Sequence, residues 1–509
     1  MSEFSISSIR SDARTLILGL GQTGAAAARW CALHGAPLRI LDTREAPEGL
    51  ESLSQTLQDA DVEYRLGAAY FDESVLQGVC SVVISPGLSP TREPVSGLLA
   101  LAADRGIEVI GEIELFARAL LDMAEQAYRP KVLAVTGTNG KTTVAVMARE
   151  LAQASGFETR AAGNIGPAAL AALQQACEQD SLPAVWVLEL SSFQLVSTRS
   201  LAPDAAVVLN VTQDHLDWHG SLDAYAAAKA RLLSMSKVAI VNRSDPIVRA
   251  MAEDLRLESV RSFGRDLPKW VGDAGFEDTH GVNWLAVSEP TDLETTTPKS
   301  RRKKNEQLPQ RPEGRVSRLM PADALRVRGV HNALNALAAL VLVRSLDAGW
   351  AGMLHALRDY AGEANRTEFV RSIAGIDFVN DSKGTNVGAT LAALQGLGQR
   401  VVLIAGGVGK GQDFSVLGPA IREHARAVVL IGRDADAIEH ALGDVALPVE
   451  RAGSMAEAVR QGHALAQAGD AVMLSPACAS LDMFRDYVHR GQAFVDAVDE
   501  LALDQGEVA

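Results

Sequence analysis

Short apolar runs rich in β-branched residues alternate with Ala-rich segments along the whole chain. The apolar runs that predict strands are residues 15–19, 81–85, 132–136, 184–190, 205–209, 401–406, 427–431 and 471–474. Runs of this length suit buried strands, and the Ala-rich segments between them have helical character. Because strands that alternate with helices are joined by crossover connections, the pattern predicts an α/β fold with mostly parallel sheets.

The positions of the Gly-rich turns and strand series predict three blocks, residues 1–110, 111–361 and 362–509. A chain of 509 residues is too long for one hydrophobic core, so several domains are expected. Residues 294–318 are polar and contain Pro and the basic cluster Arg301, Arg302, Lys303 and Lys304. Their low apolar content predicts a disordered loop inserted in the second block, with a basic tail for a partner as the alternative.

The composition argues against several classes of protein. Acidic residues outnumber basic ones, 63 to 48, and the net charge of −15 argues against general nucleic-acid binding. The longest apolar run, near residues 333–343, reaches about half of the ~20 residues that a membrane span requires. Nothing at the start of the chain predicts a secretion signal, and the four cysteines lack metal-ligand spacing. We expect a soluble, cytoplasmic protein with reduced thiols and no membrane insertion.

The strongest local signal is a Gly-rich turn at residues 137–143, between a predicted strand and a predicted helix. Glycines let the backbone curl so that successive N–H groups point at an anion, and the helix N-terminus adds its positive end. Lys141 is placed to reach terminal phosphates, and the Thr142 hydroxyl to bind Mg²⁺. The turn predicts a phosphate loop, for ATP rather than GTP, although Val135 stands where the common pattern has its first Gly. The alternative is a plain turn with a surface lysine.

Further polar groups follow in the second block. Glu189 ends a predicted strand, at the edge where ligands bind in open α/β sheets, and its carboxylate is suited to Mg²⁺. Asp214 and His215 come just after another strand and predict either a site or a helix cap. Lys229 lies in a predicted helix at residues 222–233, where the sequence around it is typical of a surface lysine.

The first block opens with its own Gly-rich turn. Gly19, Gly21 and Gly24 follow a strand and precede an Ala-rich helix, and Asp42 follows the next strand. This spacing resembles a dinucleotide fingerprint and predicts a nucleotide diphosphate at the helix N-terminus. A nicotinamide-dependent oxidoreductase and a turn required only for packing both stay open. The block is too short for six strands, which counts against the oxidoreductase.

Three turns of the third block, residues 380–386, 406–411 and 475–482, each follow a predicted strand. They carry a carboxylate, cations, hydroxyls and glycines, which suit a polar, charged ligand. Because the carboxyl ends of parallel strands share one edge of the sheet, we expect one site to collect them. Each turn taken alone could also be a plain loop.

Together these motifs resemble the Mur ligase family. The resemblance rests on residues 137–143, 189–194, 214–215, 380–386 and 475–482 with His331, Asn332 and Asn335, and covers nearly the whole chain outside residues 294–318. It implies an N-terminal Rossmann-like UDP-binding domain, a central P-loop ATPase with a parallel or mixed sheet, and a C-terminal Rossmann-like domain. Residues 189–194 and 475–482 resemble the members that add D-glutamate.

The implied activity is ATP-dependent ligation of D-glutamate to UDP-N-acetylmuramoyl-L-alanine through an acyl phosphate, in peptidoglycan precursor synthesis. The implied partners are small molecules, with no nucleic acid, and the implied state is a monomer. Because ATP and the amino acid would lie on different blocks, we expect domain closure to assemble the site. The alternatives are a sister ligase with another amino acid, a folylpolyglutamate-type ligase, a non-catalytic nucleotide switch and an NAD-dependent oxidoreductase.

The resemblance also implies site residues, position by position. For ATP they are Gly137, Thr138, Asn139, Gly140, Lys141, Thr142, Thr143, Asn332, Asn335, Arg366 and Asp381. For the UDP substrate they are Gln22, Thr23, Asp42, Thr43, Arg44, Ser85, Asn164 and His215. For D-glutamate they are Lys383, Thr385, Lys410, Ser480, Leu481 and Tyr487.

Two Mg²⁺ ions are implied as well, one on Thr142 and Glu189 and the other on His215 and Lys229. Lys229 would carry a carbamate derived from CO₂, which turns a cation into an oxygen ligand. The implied catalytic residues are Lys141, Glu189, His215 and Lys229. The sequence departs from the family pattern at Asn365, where His is expected, and at Val408, where Asp is usual. Local contacts beside Asn365 and Val408 are therefore open. Tyr487 stands where Phe is common.

Overall fold

The computed structural model describes residues 4–67, 71–255, 257, 259–291, 311–443 and 445–506. Within these ranges the chain forms three β-sheets with helices packed against them. The sheets lie within residues 14–110, 131–321 and 368–474, so each predicted block holds one sheet. The α/β class is thereby confirmed.

The first sheet is entirely parallel, in the order β3-β2-β1-β4-β5. Its strands are β1 Arg14–Leu18, β2 Leu38–Asp42, β3 Val62–Leu66, β4 Val79–Ile84 and β5 Glu108–Ile110. Its helices are α1 Gln22–Leu33, α2 Leu50–Thr56 and α3 Val95–Asp104. Strand order reverses between β1 and β4, so a crevice opens beside the turn after β1, where ligands bind in such sheets.

The second sheet has nine strands in the described part of the chain, ordered β14-β13-β12-β11-β10-β9-β6-β8-β7. They are β6 Lys131–Thr136, β7 Thr159–Gly163, β8 Val185–Glu189, β9 Ala205–Val208, β10 Val238–Asn242, β11 Val260–Phe263, β12 Ala274–Thr279, β13 Val282–Glu289 and β14 Arg315–Pro321. Pairing is parallel from β7 to β12 and antiparallel for β13 and β14. The sheet is therefore mixed, and β6 is its third strand from the β7 edge.

Nine helices accompany this sheet in the described ranges. They are α4 Glu112–Glu125, α5 Lys141–Ala154, α6 Ala169–Glu178, α7 Ser192–Val196, α8 Leu216–His219, α9 Leu222–Met235, α10 Pro246–Leu255, α11 Val330–Arg344 and, closing the series, α12 Trp350–Asp359, with α4 lying between the first two sheets. The buried face of α4 joins residues of both sheets in one hydrophobic cluster. Its Phe116 ring meets Trp186 of β8 edge-on at a centroid distance of 5.5 Å. The first two sheets therefore share a core.

The third sheet has the order β15-β16-β20-β17-β18-β19 and is parallel except for the β15–β16 pair. Its strands are β15 Glu368–Ile373, β16 Ile376–Asn380, β17 Val401–Gly406, β18 Ala425–Ile431, β19 Val449–Arg451 and β20 Ala471–Leu474. Its helices are α13 Val387–Gly396, α14 Leu417–His424, α15 Ala435–Leu442, α16 Met455–Leu465 and α17 Tyr487–Asp504. Since β16, β20 and β17 are neighbours, the three polar turns that follow them meet at one edge.

The expectation of a disordered loop at residues 294–318 is partly wrong. Residues 294–310 lie outside the described ones, but residues 315–318 belong to β14 at the edge of the second sheet. Arg318 packs over the Trp284 ring and donates to both carboxylate oxygens of Glu277 at 2.9 Å. Cross-strand contacts of this kind order a polar edge strand that composition alone assigns to a loop.

Two further findings concern the helices and the cysteines of the described ranges. No helix there is both long and apolar enough to cross a membrane. All four cysteines are free thiols, with Cys31 and Cys478 buried.

Candidate active site

The phosphate loop joins β6 to α5 and is bent by two close approaches. Gly140 adopts φ +83°, and a Cβ there would lie 2.6 Å from Asn335 Oδ1. A Cβ on Gly137 would lie 2.9 Å from the Leu209 side chain. Asn210, just after β9, fixes the loop from beside it: its Oδ1 accepts from the Asn139 backbone N–H at 2.8 Å, and its Nδ2 donates to the Asn139 carbonyl at 3.0 Å. The curled backbone is thus held from outside.

Two lysines meet on this loop. Lys141 Nζ donates to the carbonyls of Gly137 and Thr138 at 3.0 and 2.8 Å. Lys229, from α9, donates to the same Gly137 carbonyl at 2.8 Å and is only 1% exposed. Burial lowers the pKa of both amines, that of Lys229 furthest, with the neighbouring Lys141 charge as the second cause. The surface position expected of Lys229 from composition is therefore wrong, because α9 turns this residue inward against the loop.

A carboxylate lies beside the first residues of α5. Glu189 Oε2 accepts from the Thr142 hydroxyl at 2.8 Å, and its Oε1 accepts from Asn164 Nδ2 at 2.7 Å. Glu189 is 1% exposed, but it lines a cleft of about 410 Å³, and Thr142 and Asn164 line the cleft with it. Arg366, which precedes the third sheet, donates to the Thr142 hydroxyl at 2.6 Å. The cleft thus brings the Thr142 and Glu189 oxygens, which are potential metal ligands, close to the cations Lys141 and Arg366.

His215 lies in the wall of the same cleft, in a turn where it adopts φ +53°. Its Nε2 is 3.5 Å from Asp214 Oδ2, and its ring meets Phe193 edge-on at 4.7 Å. Burial lowers the pKa of this imidazole more than the Asp214 charge raises it. His215 is therefore suited to accept or relay a proton as a neutral ring.

A second cavity of about 230 Å³ adjoins the loop on its other side. Seven of the residues implied for ATP line it: Asn139, Gly140, Thr143, Asn332, Asn335, Arg366 and Asp381. Asn335 Nδ2 donates to Asn332 Oδ1 at 3.3 Å, and the Asp381 carboxylate accepts from the Ser475 hydroxyl at 2.7 Å. Burial raises the pKa of Asp381 to about 6. Since the two cavities share the loop, one ligand with a base and a phosphate tail can occupy both.

The third block supplies cations to the 410 Å³ cleft. Lys383, Thr385, Lys410 and Tyr487 line it, and Lys383 Nζ lies 3.7 Å from the centre of the Tyr487 ring. Burial lowers the pKa of Lys383 to about 8. Ser480 and Leu481 do not line this cleft: the first is 3% exposed, and the second is 71% exposed on the surface.

The remaining predicted residues line a separate cleft of about 270 Å³ at the first sheet. Thr23, Asp42, Thr43, Arg44 and Ser85 border it, whereas Gln22 at the start of α1 does not. Asp42 accepts from the Leu20 N–H at 2.7 Å and from Arg44 Nε and Nη2 at 2.9 and 2.7 Å. These bonds occupy the carboxylate that a dinucleotide enzyme uses for ribose, and the sheet has five strands, so the oxidoreductase alternative loses its support.

Several residues of the site were not among those that the sequence analysis assigned to it. Asn386 pairs with the Asn139 side chain, Asn210 holds the loop backbone, and Tyr225 donates from its hydroxyl to Thr138 Oγ1 at 3.1 Å. His219 lies 2.9 Å from the Ser192 hydroxyl, and burial lowers its pKa to about 4. Asn210 alone could have been found, because it directly follows a predicted strand at the binding edge.

Three family models match the chain. They are the Mur ligase MurD-like N-terminal domain at residues 13–111, the Mur ligase middle domain at 135–343 and the Mur ligase glutamate ligase domain at 365–478. Together they cover well over half of the sequence, in the order of the three sheets.

The chain belongs to the Mur ligase family.

Named relatives of this Mur ligase match it along nearly its full length. The UDP-N-acetylmuramoylalanine–D-glutamate ligase of Bordetella avium strain 197N is 64% identical over 98% of both chains. The protein of the same name from Ralstonia nicotianae is 52% identical over 96% of this chain and 97% of its own. This Mur ligase is therefore an enzyme of an ATP-dependent ligase family that acts in peptidoglycan precursor synthesis.

Solved structures agree on the fold. MurF from Acinetobacter baumannii aligns with a TM-score of 0.56 at 17% identity, covering 96% of this Mur ligase and 92% of its own chain. MurF ligase from Thermotoga maritima, solved in complex with ADP, also gives 0.56, at 15% identity over 99% and 97% of the two chains. At such identities the likeness concerns the fold alone.

The two departures from the family pattern occupy structured positions. Asn365 adopts φ +65°, its N–H donates to Glu368 Oε2 at 2.8 Å, and its Oδ1 accepts from Asn380 Nδ2 at 3.1 Å. Val408 exchanges backbone hydrogen bonds with Ala479 at 2.8 and 2.9 Å. The Asn365 contacts fix the residue that precedes Arg366. The Val408 bonds join the turns after β17 and β20 through the backbone. Neither role depends on the side chain that is usual at that position in this Mur ligase family.

Proposed function

We propose that this Mur ligase joins D-glutamate to UDP-N-acetylmuramoyl-L-alanine with release of ADP and phosphate. One observation carries the proposal: a single cleft of about 410 Å³ collects the phosphate loop, Glu189, His215 and the lysines of the third block. The phosphates of ATP and an amino acid with two carboxylates can therefore bind next to each other in one cleft. The names of the relatives agree with this substrate pair.

ATP is proposed to bind across the two cavities at the loop. Its base and ribose would lie near Asn332, Asn335 and Asp381, and its phosphates along the amides of residues 137–143, where Lys141 and Arg366 supply charge. The UDP moiety would lie in the 270 Å³ cleft, with Ser85 at its wall. Asn164 and His215 would face the acyl end of that substrate in the large cleft.

D-glutamate is proposed to bind between the loop and the third block. Lys383 and Lys410 would hold its carboxylates, with Thr385 and Tyr487 beside them, since these four line the large cleft. The roles of Ser480 and Leu481 stay predictions from the family pattern. Because Ser480 is buried and Leu481 exposed, their backbone would be the part that contributes.

Mg²⁺ fits the pair formed by Thr142 and Glu189. Two oxygen donors lie 2.8 Å apart there, and Asn164 orients the second carboxylate oxygen. Among the residues that the structure describes, no three acidic, His or Cys side chains cluster as a metal cage. The ion would then take its other ligands from phosphate and water, as Mg²⁺ commonly does. When bound, it neutralises charge on the transferred phosphoryl group.

A carbamate on Lys229 fits its surroundings as well. The side chain is enclosed among Gly137, Tyr225 and the cleft, and burial lowers the pKa of its amine, which shifts it toward the neutral form that reacts with CO₂. Carbamylated Lys229 and His215 would hold a second Mg²⁺ from the same wall of the cleft.

Different residues of the chain are proposed to stabilise charge and to accept a proton during the reaction. A free carboxylate is a poor electrophile, so the L-alanine carboxylate first attacks the γ-phosphorus of ATP, ADP departs, and an acyl phosphate forms. Loop amides, Lys141 and Arg366 stabilise the charge on the phosphoryl oxygens. The D-glutamate amine attacks the acyl carbon, the C–O bond to phosphate breaks, and the amine proton leaves, with His215 as the proposed acceptor.

The domain boundaries after residues 110 and 361, a monomeric state and a cytoplasmic location stay proposals. The boundaries follow from the blocks of the sequence, the monomeric state from the family resemblance alone, and the location from the soluble nucleotide substrates.

An ADP-release assay with UDP-N-acetylmuramoyl-L-alanine and a panel of amino acids tests the function. We expect release to require both the acceptor and D-glutamate, with L-glutamate, L-lysine and meso-diaminopimelate inactive. ADP release that is independent of the acceptor, or that prefers another amino acid, would refute the substrate assignment. Oxidation of NADH by the protein would revive the oxidoreductase.

A further inference from the structure

Asn139 and Asn386 face each other across the boundary between the second and third blocks. Asn139 Nδ2 donates to Asn386 Oδ1 at 3.1 Å, and Asn386 Nδ2 donates back to Asn139 Oδ1 at 3.0 Å. The two residues are 247 positions apart in sequence. Each amide therefore satisfies both a donor and an acceptor of the other, which is the full complement that two carboxamides can exchange in a plane.

Asn139 is fixed at its backbone before this contact is made. Asn210 binds both its N–H and its carbonyl, so the loop is tied to the second sheet at that residue. The side chain of Asn139 is directed to the third block instead. The loop that would hold the ATP phosphates is thus connected at one residue to both blocks.

Asn386 does more than cap a helix. Its Oδ1 accepts from the Ala389 N–H at 2.9 Å, which is an ordinary N-cap of α13. A cap requires only the oxygen, and Ser or Asp supplies it equally well. The Nδ2 group of Asn386 has no part in the cap; it donates to Asn139 and lies 3.4 Å from Asp214 Oδ2. Asn386 is 3% exposed, so an unpaired amide there would be costly.

We propose that Asn386 is a positioning residue for the phosphate loop, which sets the loop in its ATP-binding shape when the third block is docked. The proposal rests on the proposed ligase reaction, since docking brings the amino acid to the acyl phosphate. Arg366 makes the other polar link from the third block's side to the start of α5, at Thr142. Asn386 differs from Arg366 because its contact lies in the turn before α5 and involves no charge.

A double-mutant cycle tests the pair. Asn386→Ser keeps the cap oxygen and removes the amide, and Asn139→Ala removes the facing amide. We expect each single variant to lower kcat/KM for ATP about ten-fold. The double variant should fall less than about two-fold below either single variant, because each single substitution already removes the whole interaction of the pair. Ser454→Ala, which removes the N-cap of α16 in the same block, is the matched control and should keep turnover.

The outcomes separate the positioning role from a structural one. Turnover of Asn386→Ser within two-fold of the unaltered chain overturns the proposal, and so does an additive loss of about a hundred-fold in the double variant. Thermal melting of the same proteins shows whether lost turnover is lost folding; a melting temperature that falls more for Asn386→Ser than for Ser454→Ala also counts against the proposal.

Failure of the ligase function is distinguishable from failure of this contact. If the unaltered chain shows no ADP release that depends on D-glutamate, the ligase proposal falls by itself. The pair is then judged by calorimetric binding of a non-hydrolysable ATP analogue to the same four proteins. The same ten-fold, non-additive weakening supports the contact, and equal or additive affinities overturn it.

Discussion

Lys141 and Lys229 donate to the same acceptor: their Nζ atoms lie 3.0 and 2.8 Å from the carbonyl oxygen of Gly137. One amine comes from the start of α5 and the other from the middle of α9. Two ammonium groups that share one buried oxygen repel each other, so the arrangement favours one charged and one neutral amine. Burial lowers the pKa of both amines, that of Lys229 furthest, and Lys229 is therefore the one proposed for covalent modification.

Replacement of Lys141 by Ala should abolish most of the turnover. The loop would lose the cation placed to stabilise the transferred phosphoryl group, and a loss of about a thousand-fold in kcat is expected. Lys131→Ala is the control, since Lys131 begins β6, before the loop, and is an exposed partner of Asp204. Steady-state ADP release measures both variants. Near-normal turnover of Lys141→Ala would refute the assignment of the loop.

The carbamate proposed on Lys229 can be tested directly. Protein equilibrated with ¹³C-bicarbonate should show a carbamate carbon signal by NMR, because burial shifts the Lys229 amine toward the neutral form that reacts with CO₂. Lys229→Arg should lose both this signal and turnover, since a guanidinium forms no carbamate and stays charged. Lys237→Ala, at an exposed lysine paired with Asp204, should keep the signal. A spectrum of Lys229→Arg that equals the unaltered one would place the carbamate elsewhere or nowhere.

Glu189→Gln should raise the Mg²⁺ concentration needed for half-maximal activity. The amide keeps the size and the contacts to Thr142 and Asn164 but removes the charge that attracts the ion, so a shift of about ten-fold or more is expected. Glu178→Gln, an exposed acid of α6, should leave the Mg²⁺ titration unchanged. If the two titrations coincide, Glu189 does not bind the metal.

The strands and the turns that follow them could be predicted from the sequence, because periodicity and glycine placement are local properties. Residues 401–406 and 471–474 are strands with the predicted bounds, and the other six predicted runs differ by one or two residues at one or both ends. Edge strand β14 was missed, since its order comes from the Arg318 contacts to Trp284 and Glu277 on other strands. The shared core formed by Phe116 and Trp186 was equally invisible, because it joins residues far apart in sequence.

The site residues show the same contrast between what local sequence determines and what packing determines. Residues that end strands, such as Glu189 and Asp381, could be placed at the binding edge by topology alone. The burial of Lys229 could not, since a helix with a low contrast between its faces gives no orientation and the loop that covers the lysine is 92 residues away. Asn386 was part of a predicted turn, but its partner on the phosphate loop emerges only from the packing of two blocks.

Glu112 connects α4 to the start of α6 and should make stability depend on pH. It is the first residue of α4, and its Oε1 accepts from the Leu170 N–H near the start of α6 at 2.6 Å. Its Oε2 has no hydrogen-bond partner in the described chain. Burial raises the pKa of this carboxyl from the ordinary value of 4.5 to about 7. The folded protein therefore holds the proton more tightly than the unfolded chain does.

The free energy of unfolding should therefore decrease as the pH rises. The stabilising contribution of the protonated carboxyl is complete below about pH 4.5 and is lost as the pH rises through 7, with an upper limit of about 3 kcal/mol at about 1.4 kcal/mol per pH unit. Glu112→Gln keeps the acceptor for Leu170 and cannot ionise, so its free energy of unfolding relative to the unaltered chain should increase between pH 5 and pH 8. Urea denaturation at several pH values measures it, with the exposed Glu125→Gln of the same helix as the control. Parallel stability curves for Glu112→Gln and the unaltered chain would show that the carboxyl is relaxed by water, and that α4 is held to α6 without a titrating contact.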